Sequence, residues 1–160
     1  MKIHLALEAL HADENALARE LFRLAERHKV DHDIYHLGRD LARWSQRHVT
    51  EIATVAARFG AELDPKPPGE STLPEKVREK AADLMGRRGE AALLLLRDLR
   101  GVYTGAAGVY ADWELVAQAA QGLKDTELMK VAERCGAESK RQMKWANGKL
   151  KESATQILLS

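Results

Sequence analysis

The sequence predicts an all-α protein: a four-helix bundle with one long crossover between its second and third helices and a short extra helix inside that crossover. Three observations carry the prediction. Apolar residues recur at alternating spacings of three and four over four long stretches. Short polar turns join the first two stretches and the last two, which makes each pair antiparallel neighbours. Between the pairs lies Asp64-Pro65-Lys66-Pro67-Pro68-Gly69, where proline removes backbone donors and turns its predecessor away from helix. A chain of 160 residues can bury a core without a disulfide or structural metal, so 1–160 reads as a single bundle domain.

The first helix covers about residues 2–28, with Ile3, Leu7, Leu10, Glu14, Leu17, Leu21, Leu24 and His28 on one face. The second covers about 32–59, with Asp31 or Asp33 as N-cap and Gly60 as its stop. The crossover spans 61–89. Its short helix, about 73–86, takes Thr72 as N-cap, Pro74 in the first turn and Glu75 as the capping-box acid, before Gly86-Arg87-Arg88-Gly89 breaks it. The third helix, about 90–123, has the cleanest pattern: Ala92, Leu95, Leu99, Val102, Ala106, Val109, Trp113, Val116, Ala120 and Leu123. Leu93 to Leu96 leave it no polar face at its start, so the crossing helix or another subunit is expected to cover that end. The fourth helix, about 126–151, carries Leu128, Ala132, Cys135, Ser139, Met143, Ala146 and Leu150. All four helices are expected to match in length, at ~40 Å each.

Composition excludes more than it assigns. Twenty-five Lys+Arg against 24 Asp+Glu leave a net charge of +1, which gives nucleic acid no electrostatic footprint. One cysteine, Cys135, rules out an intrachain disulfide and any multi-cysteine metal site; on the core stripe it reads as a small buried hydrophobe. No stretch approaches the ~20 apolar residues of a membrane span, and Met1 to Glu8 lacks a signal-peptide core, so a cytoplasmic protein with no membrane partner is expected. No glycine-rich phosphate loop or Gly-x-Ser-x-Gly elbow supports kinase or hydrolase chemistry.

The informative residues are polar groups on core stripes, because burying them unpaired is costly. Helix one offers Glu8, His11 and Glu14; helix two offers His48 and Glu51. Residues three apart share a helix face, and a turn near residue 30 sets His11 level with position 49 and Glu51 level with position 9. Two His-x-x-Glu pairs are thus expected to meet at one height. Such a set could bind iron, manganese or zinc with positions open for oxygen or peroxide. Equally, it could form a buried network in which His11 and His48 bond Glu51 and Glu14, fixing register with no metal.

In helix count and connectivity the chain resembles the ferritin-like superfamily. The resemblance implies one Glu from each of two helices and a Glu-x-x-His from each of the other two. Glu8-Ala9-Leu10-His11 is a literal Glu-x-x-His and Glu14 stands for a lone glutamate, yet Ser45 precedes His48 where that motif needs an acid. Helix three has no carboxylate on its stripe, since Asp98 and Asp112 lie one residue aside. Helix four has no histidine, only Glu138, Ser139 and Gln142 as polar core candidates. The resemblance is therefore to a degenerate branch, similar to small uncharacterised bacterial ferritin-like proteins without a complete di-iron centre.

Three further features stand apart from that set. His28, His32 and His36 straddle the first turn and read as solvated groups, although His32 and His36 have clamp spacing for an exposed metal. Gly101, Gly105 and Gly108 make the middle of helix three small, which suits close packing or a cavity lined by Tyr103, Tyr110 and Trp113 for an apolar ligand. Lys140, Arg141, Lys144, Lys149 and Lys151, beside Trp145, form a solvated face or a patch for an acidic partner. Three readings follow: a bundle, non-catalytic or weakly metal-binding, that acts through protein contacts, as a homodimer or with another partner; a metalloprotein using Glu8, His11, Glu14, His48 and Glu51; and a carrier of an apolar small molecule. The first has the most sequence support, because helices three and four lack ligands.

Overall fold

The computed structural model describes residues 1–67, 69 and 88–160. Four helices pack as a bundle: α1 (Ile3–Arg27), α2 (His32–Ala56), α3 (Arg88–Leu123) and α4 (Thr126–Leu159). The short helix expected at 73–86, with its cap at Thr72, lies outside the described residues.

Local chemistry sets the ends. Asp31 caps α2, its side chain accepting from the Ile34 amide at 3.2 Å. A 3-10 turn, Ala57–Phe59, closes α2 at Gly60, whose φ of 81° is left-handed and suits glycine. Asp125 caps α4 in the same way, accepting from Leu128 N at 3.0 Å, while Lys124 takes a φ of 56° to turn the chain. Helix α3 includes Arg88 and Gly89, so these two residues are helical and do not form part of a break. Helix α4 runs to Leu159 instead of stopping near 151, because no proline follows Gly148 and the alanine, leucine and glutamine there favour helix.

The helices do not match in length. They have 25, 25, 36 and 34 residues, so the α3–α4 hairpin outreaches the α1–α2 hairpin. Level with the α1–α2 turn, Asp98 meets His28 and Lys149 meets Asp33. The first ten or so residues of α3 and the last ten of α4 therefore project ~15 Å beyond that turn.

Packing is close between α1 and α2, α3 and α4, and α1 and α3, and sparse between α2 and α4. Glu14 meets His48 and Trp113, and Glu138 meets Arg47, so each neighbouring pair is antiparallel and α2 and α3 point the same way. Such an order requires a long connection from α2 to α3. The core gathers Leu7, Leu10, Leu17, Leu21 and Leu24 from α1, Ile34 and Ile52 from α2, Leu99, Val102, Val109, Trp113 and Val116 from α3, and Leu128 and Ala146 from α4. Among the described residues no helix is long and apolar enough to cross a membrane.

Two of the three glycines in the middle of α3, Gly101 and Gly105, pack closely against a neighbouring helix, whereas Gly108 faces open space. A methyl at Gly101 would collide with the carboxylate of Glu20, and one at Gly105 would touch Leu17 Cδ1 at 3.6 Å. The partner is thus α1 of the same chain. Burial raises the pKa of Glu20 there, against the lowering influence of Arg23.

Candidate functional site

One polar node sits in the middle of the bundle and draws a side chain from every helix. Glu14 of α1 and His48 of α2 are 0% and 1% exposed. His48 Nδ1 lies 3.0 and 3.1 Å from the two Glu14 carboxylate oxygens. From α3 the Trp113 indole N–H donates to Glu14 Oε1 at 3.1 Å, and its ring meets the imidazole edge-on at 6.0 Å between centroids. From α4 the Ser139 hydroxyl lies within donating reach of Glu14 Oε1 (3.4 Å) and of the Cys135 carbonyl (3.0 Å). Having one proton, it serves one of them at a time.

The far side of the imidazole faces a second carboxylate. His48 Nε2 is 3.4 Å from Glu138 Oε1, whose other oxygen takes Arg47 at 3.3 Å. Ionised carboxylates only accept, so the imidazolium form of His48, with both ring nitrogens donating, is the one that satisfies the node. Burial opposes that charge, but the hydrogen bond and charge of Glu14, followed by the charge and hydrogen bond of Glu138, outweigh it. The histidine pKa is held above its ordinary value.

A layer below, Gln142 donates to the Leu41 carbonyl at 2.8 Å and to Ser45 Oγ at 2.9 Å. A layer above, Cys135 Sγ donates to Glu51 Oε2 at 3.3 Å, and Arg134 pairs with the same oxygen. Burial pushes the Cys135 thiol well up, with Glu51 adding to the shift. Beside the node, Asp112 of α3 is pushed up to about 7 by burial, by a hydrogen bond and charge from Asp13 of α1, and by the charge of Glu14.

Of the five metal candidates the bundle brings together two, Glu14 and His48. His11 instead bonds the Asp64 carbonyl at 2.8 Å, Glu51 pairs with Arg134 and Cys135, and Glu8 is exposed. The reason is angular. Glu14 and His48 lie on their core stripes, whereas His11 and Glu51 each sit one residue beside an inward position (Leu10 and Ile52). Two complete His-x-x-Glu pairs therefore do not meet. Among the described residues no group of three or more His, Cys, Asp or Glu side chains is placed to hold a metal. Glu14 and Glu138 lie at opposite ends of the His48 ring, so they cannot converge on one ion.

The other candidates separate likewise. Tyr110 and Trp113 line a cleft of about 650 Å³ between α3 and α4, with Glu114, Glu133, Gly136 and Lys140; Tyr103 is not part of that lining. The Tyr110 hydroxyl is bonded by Glu114, which raises its pKa. His28 is not solvated: it is 7% exposed and bonds Asp98 at 2.7 Å, because it closes the α1 core stripe against α3. His32 and His36 are exposed and meet edge-on at 6.4 Å.

Glu138 and Ser139 were legible as polar core candidates of the fourth helix. Trp113 as the third donor to Glu14 was not, since an indole on a core stripe gives no sign of where its N–H points. No family model matches the chain, and no curated protein or solved structure matches it.

Proposed function

We propose that this protein is a non-catalytic bundle of ferritin-like connectivity that acts through protein contacts, its central His–Glu pair being a structural clasp. One observation carries the reading: both nitrogens of His48 face carboxylates, and Glu14 is shared among His48, Trp113 and Ser139. A histidine held this way has no lone pair free for a metal. The ferritin-like assignment is supported by the parallel run of α2 and α3, which the long crossover makes possible. Exposed Leu93 of α3 and Leu158 and Leu159 of α4, in the projecting part of the hairpin, favour self-association as one form of contact.

Metal retention tests this reading. Protein purified without chelator and then loaded with iron(II), manganese or zinc is expected to hold none stoichiometrically. Stoichiometric retention, abolished by Glu14→Ala or His48→Ala, would overturn it in favour of a metalloprotein. Sedimentation with and without Leu158→Lys tests the self-association.

A further inference from the structure

The seam between α2 and α4 differs from the other three. The helices touch sparingly there and are bridged by ion pairs: Lys149 with Asp33 at 3.2 Å, Arg47 with Glu138 at 3.3 Å, and Arg134 with Glu51. Between the first two bridges the seam opens into a cleft of about 380 Å³. Leu37, Leu41, Trp44 and Trp145 form its apolar lining, and Asp40, Arg43 and Arg47 its polar one.

Tryptophan and arginine around a recess are the residue types that dominate binding energy at protein interfaces. The charge beside the recess is positive on balance: Arg43, Arg47 and Arg141 against Asp40 and Glu138. Arg141 lies one turn before Trp145 and is exposed. Among the described residues Arg43 pairs with Asp40, at 3.0 Å, with both side chains at least half exposed, so an incoming carboxylate competes for it at little cost. The indole N–H of Trp145 is buried and has no hydrogen-bond partner among the described residues. A shielded donor without an acceptor is unfavourable, and binding that supplies one relieves it.

From these observations we propose that the Trp44–Trp145 cleft is a docking site for an acidic peptide segment of a partner protein. An apolar or aromatic anchor enters between the two indoles, flanking carboxylates pair with Arg43 and Arg47, and one acceptor of the segment serves the Trp145 N–H. The cleft holds a single large side chain, which makes the contact a short linear one. The proposal rests on the reading of the protein as an interaction module and names the surface and the chemistry it uses.

The test is a titration of the full chain with two blocked peptides, Glu-Glu-Leu-Phe-Glu-Glu-Leu and the same peptide with lysine in place of glutamate. Binding is followed through the Trp145 indole N–H resonance and tryptophan fluorescence. The acidic peptide is expected to bind about tenfold or more tightly than the basic one, to shift the Trp145 signal, and to weaken as salt is raised. Arg43→Glu is expected to lower that affinity about tenfold without changing the unfolding midpoint, since Arg43 is exposed. Leu37→Ala should weaken both peptides alike, by removing part of the anchor's contact. Equal affinity for the two peptides, no binding of either, or acidic binding that survives Arg43→Glu would each overturn the proposal. None of those results bears on metal retention, so the non-catalytic reading would stand or fall separately.

Discussion

Replacing either partner of the buried Glu14–His48 pair should cost a large part of the protein's stability, and replacing both should cost far less. In Glu14→Met, the His48 and Trp113 donors at 3.0–3.1 Å lose their acceptor, and the imidazolium stays buried with only Glu138 opposite it. Each orphaned donor costs ~1–3 kcal/mol, and removing one partner of a buried ion pair typically costs ~3–5 kcal/mol in all. In His48→Leu, Glu14 keeps the Trp113 bond but remains a buried anion without a countercharge, with a loss of similar size. Domains of this kind have only ~5–15 kcal/mol to lose. The double variant Glu14→Met, His48→Leu fills the space with apolar atoms and leaves one indole donor unpaired, so it should lie within ~1–3 kcal/mol of the parent. Urea unfolding followed by circular dichroism at constant pH measures all three in one double-mutant cycle. Single losses below ~1 kcal/mol, or a double variant as unstable as the two losses combined, would refute the argument that these residues form a mutually dependent buried pair.

Other outcomes follow from the same geometry. Stability should fall as pH rises through neutrality. The raised pKa of His48 contributes stability fully present below the unfolded value of about 6.5 and lost as pH climbs through the folded value. Asp112, raised to about 7, acts in the same sense: its contribution is complete below the ordinary aspartate range and disappears by about pH 7. Asp112→Asn should therefore stabilise the protein at pH 8 and do little at pH 4, as read from unfolding midpoints at the two values. Gly108 is helical and exposed, with open space where a methyl would sit, so Gly108→Ala should add ~0.5–1 kcal/mol to the unfolding free energy. The Cys135 thiol is fully buried, so its reaction with a disulfide reagent should proceed no faster than unfolding; rapid labelling of the native protein would contradict its placement.

Much of the bundle could be read from the sequence because helical periodicity and short turns are local signals. The stripe from Ala92 to Leu123 is apolar at each inward step, and Asp31 and Gly60 mark ends through chemistry confined to a few residues. Helix length was less legible. Nothing within α4 marks residue 151 as an end, and the difference between 25 and 34 residues emerges only from which residues stand level across the bundle. At the central node the sequence placed Glu14 and His48 on inward stripes, and antiparallel pairing brought them to one height. It could not separate His11 and Glu51 from that pair, because a helix turns by about 100° per residue and one position decides between core and rim. His11 went to a loop carbonyl and Glu51 to an arginine of α4, neither of which shares local sequence with it. The indole of Trp113 and the carboxylate of Glu138 are 99 and 90 residues from their partners, a separation over which only the folded chain makes an arrangement.

The clasp at the centre is tested most directly by the protonation state of His48, followed through its ring nitrogens by NMR of 15N-histidine-labelled protein at pH 7, before and after addition of zinc, manganese or iron(II). Two protonated nitrogens, unchanged by any of the metals, are the expected result, since each faces a carboxylate that only accepts. A neutral ring with one nitrogen free, or a His48 signal that shifts or broadens stoichiometrically with metal and is restored by chelation, would contradict the account and make Glu14–His48 a coordinating site.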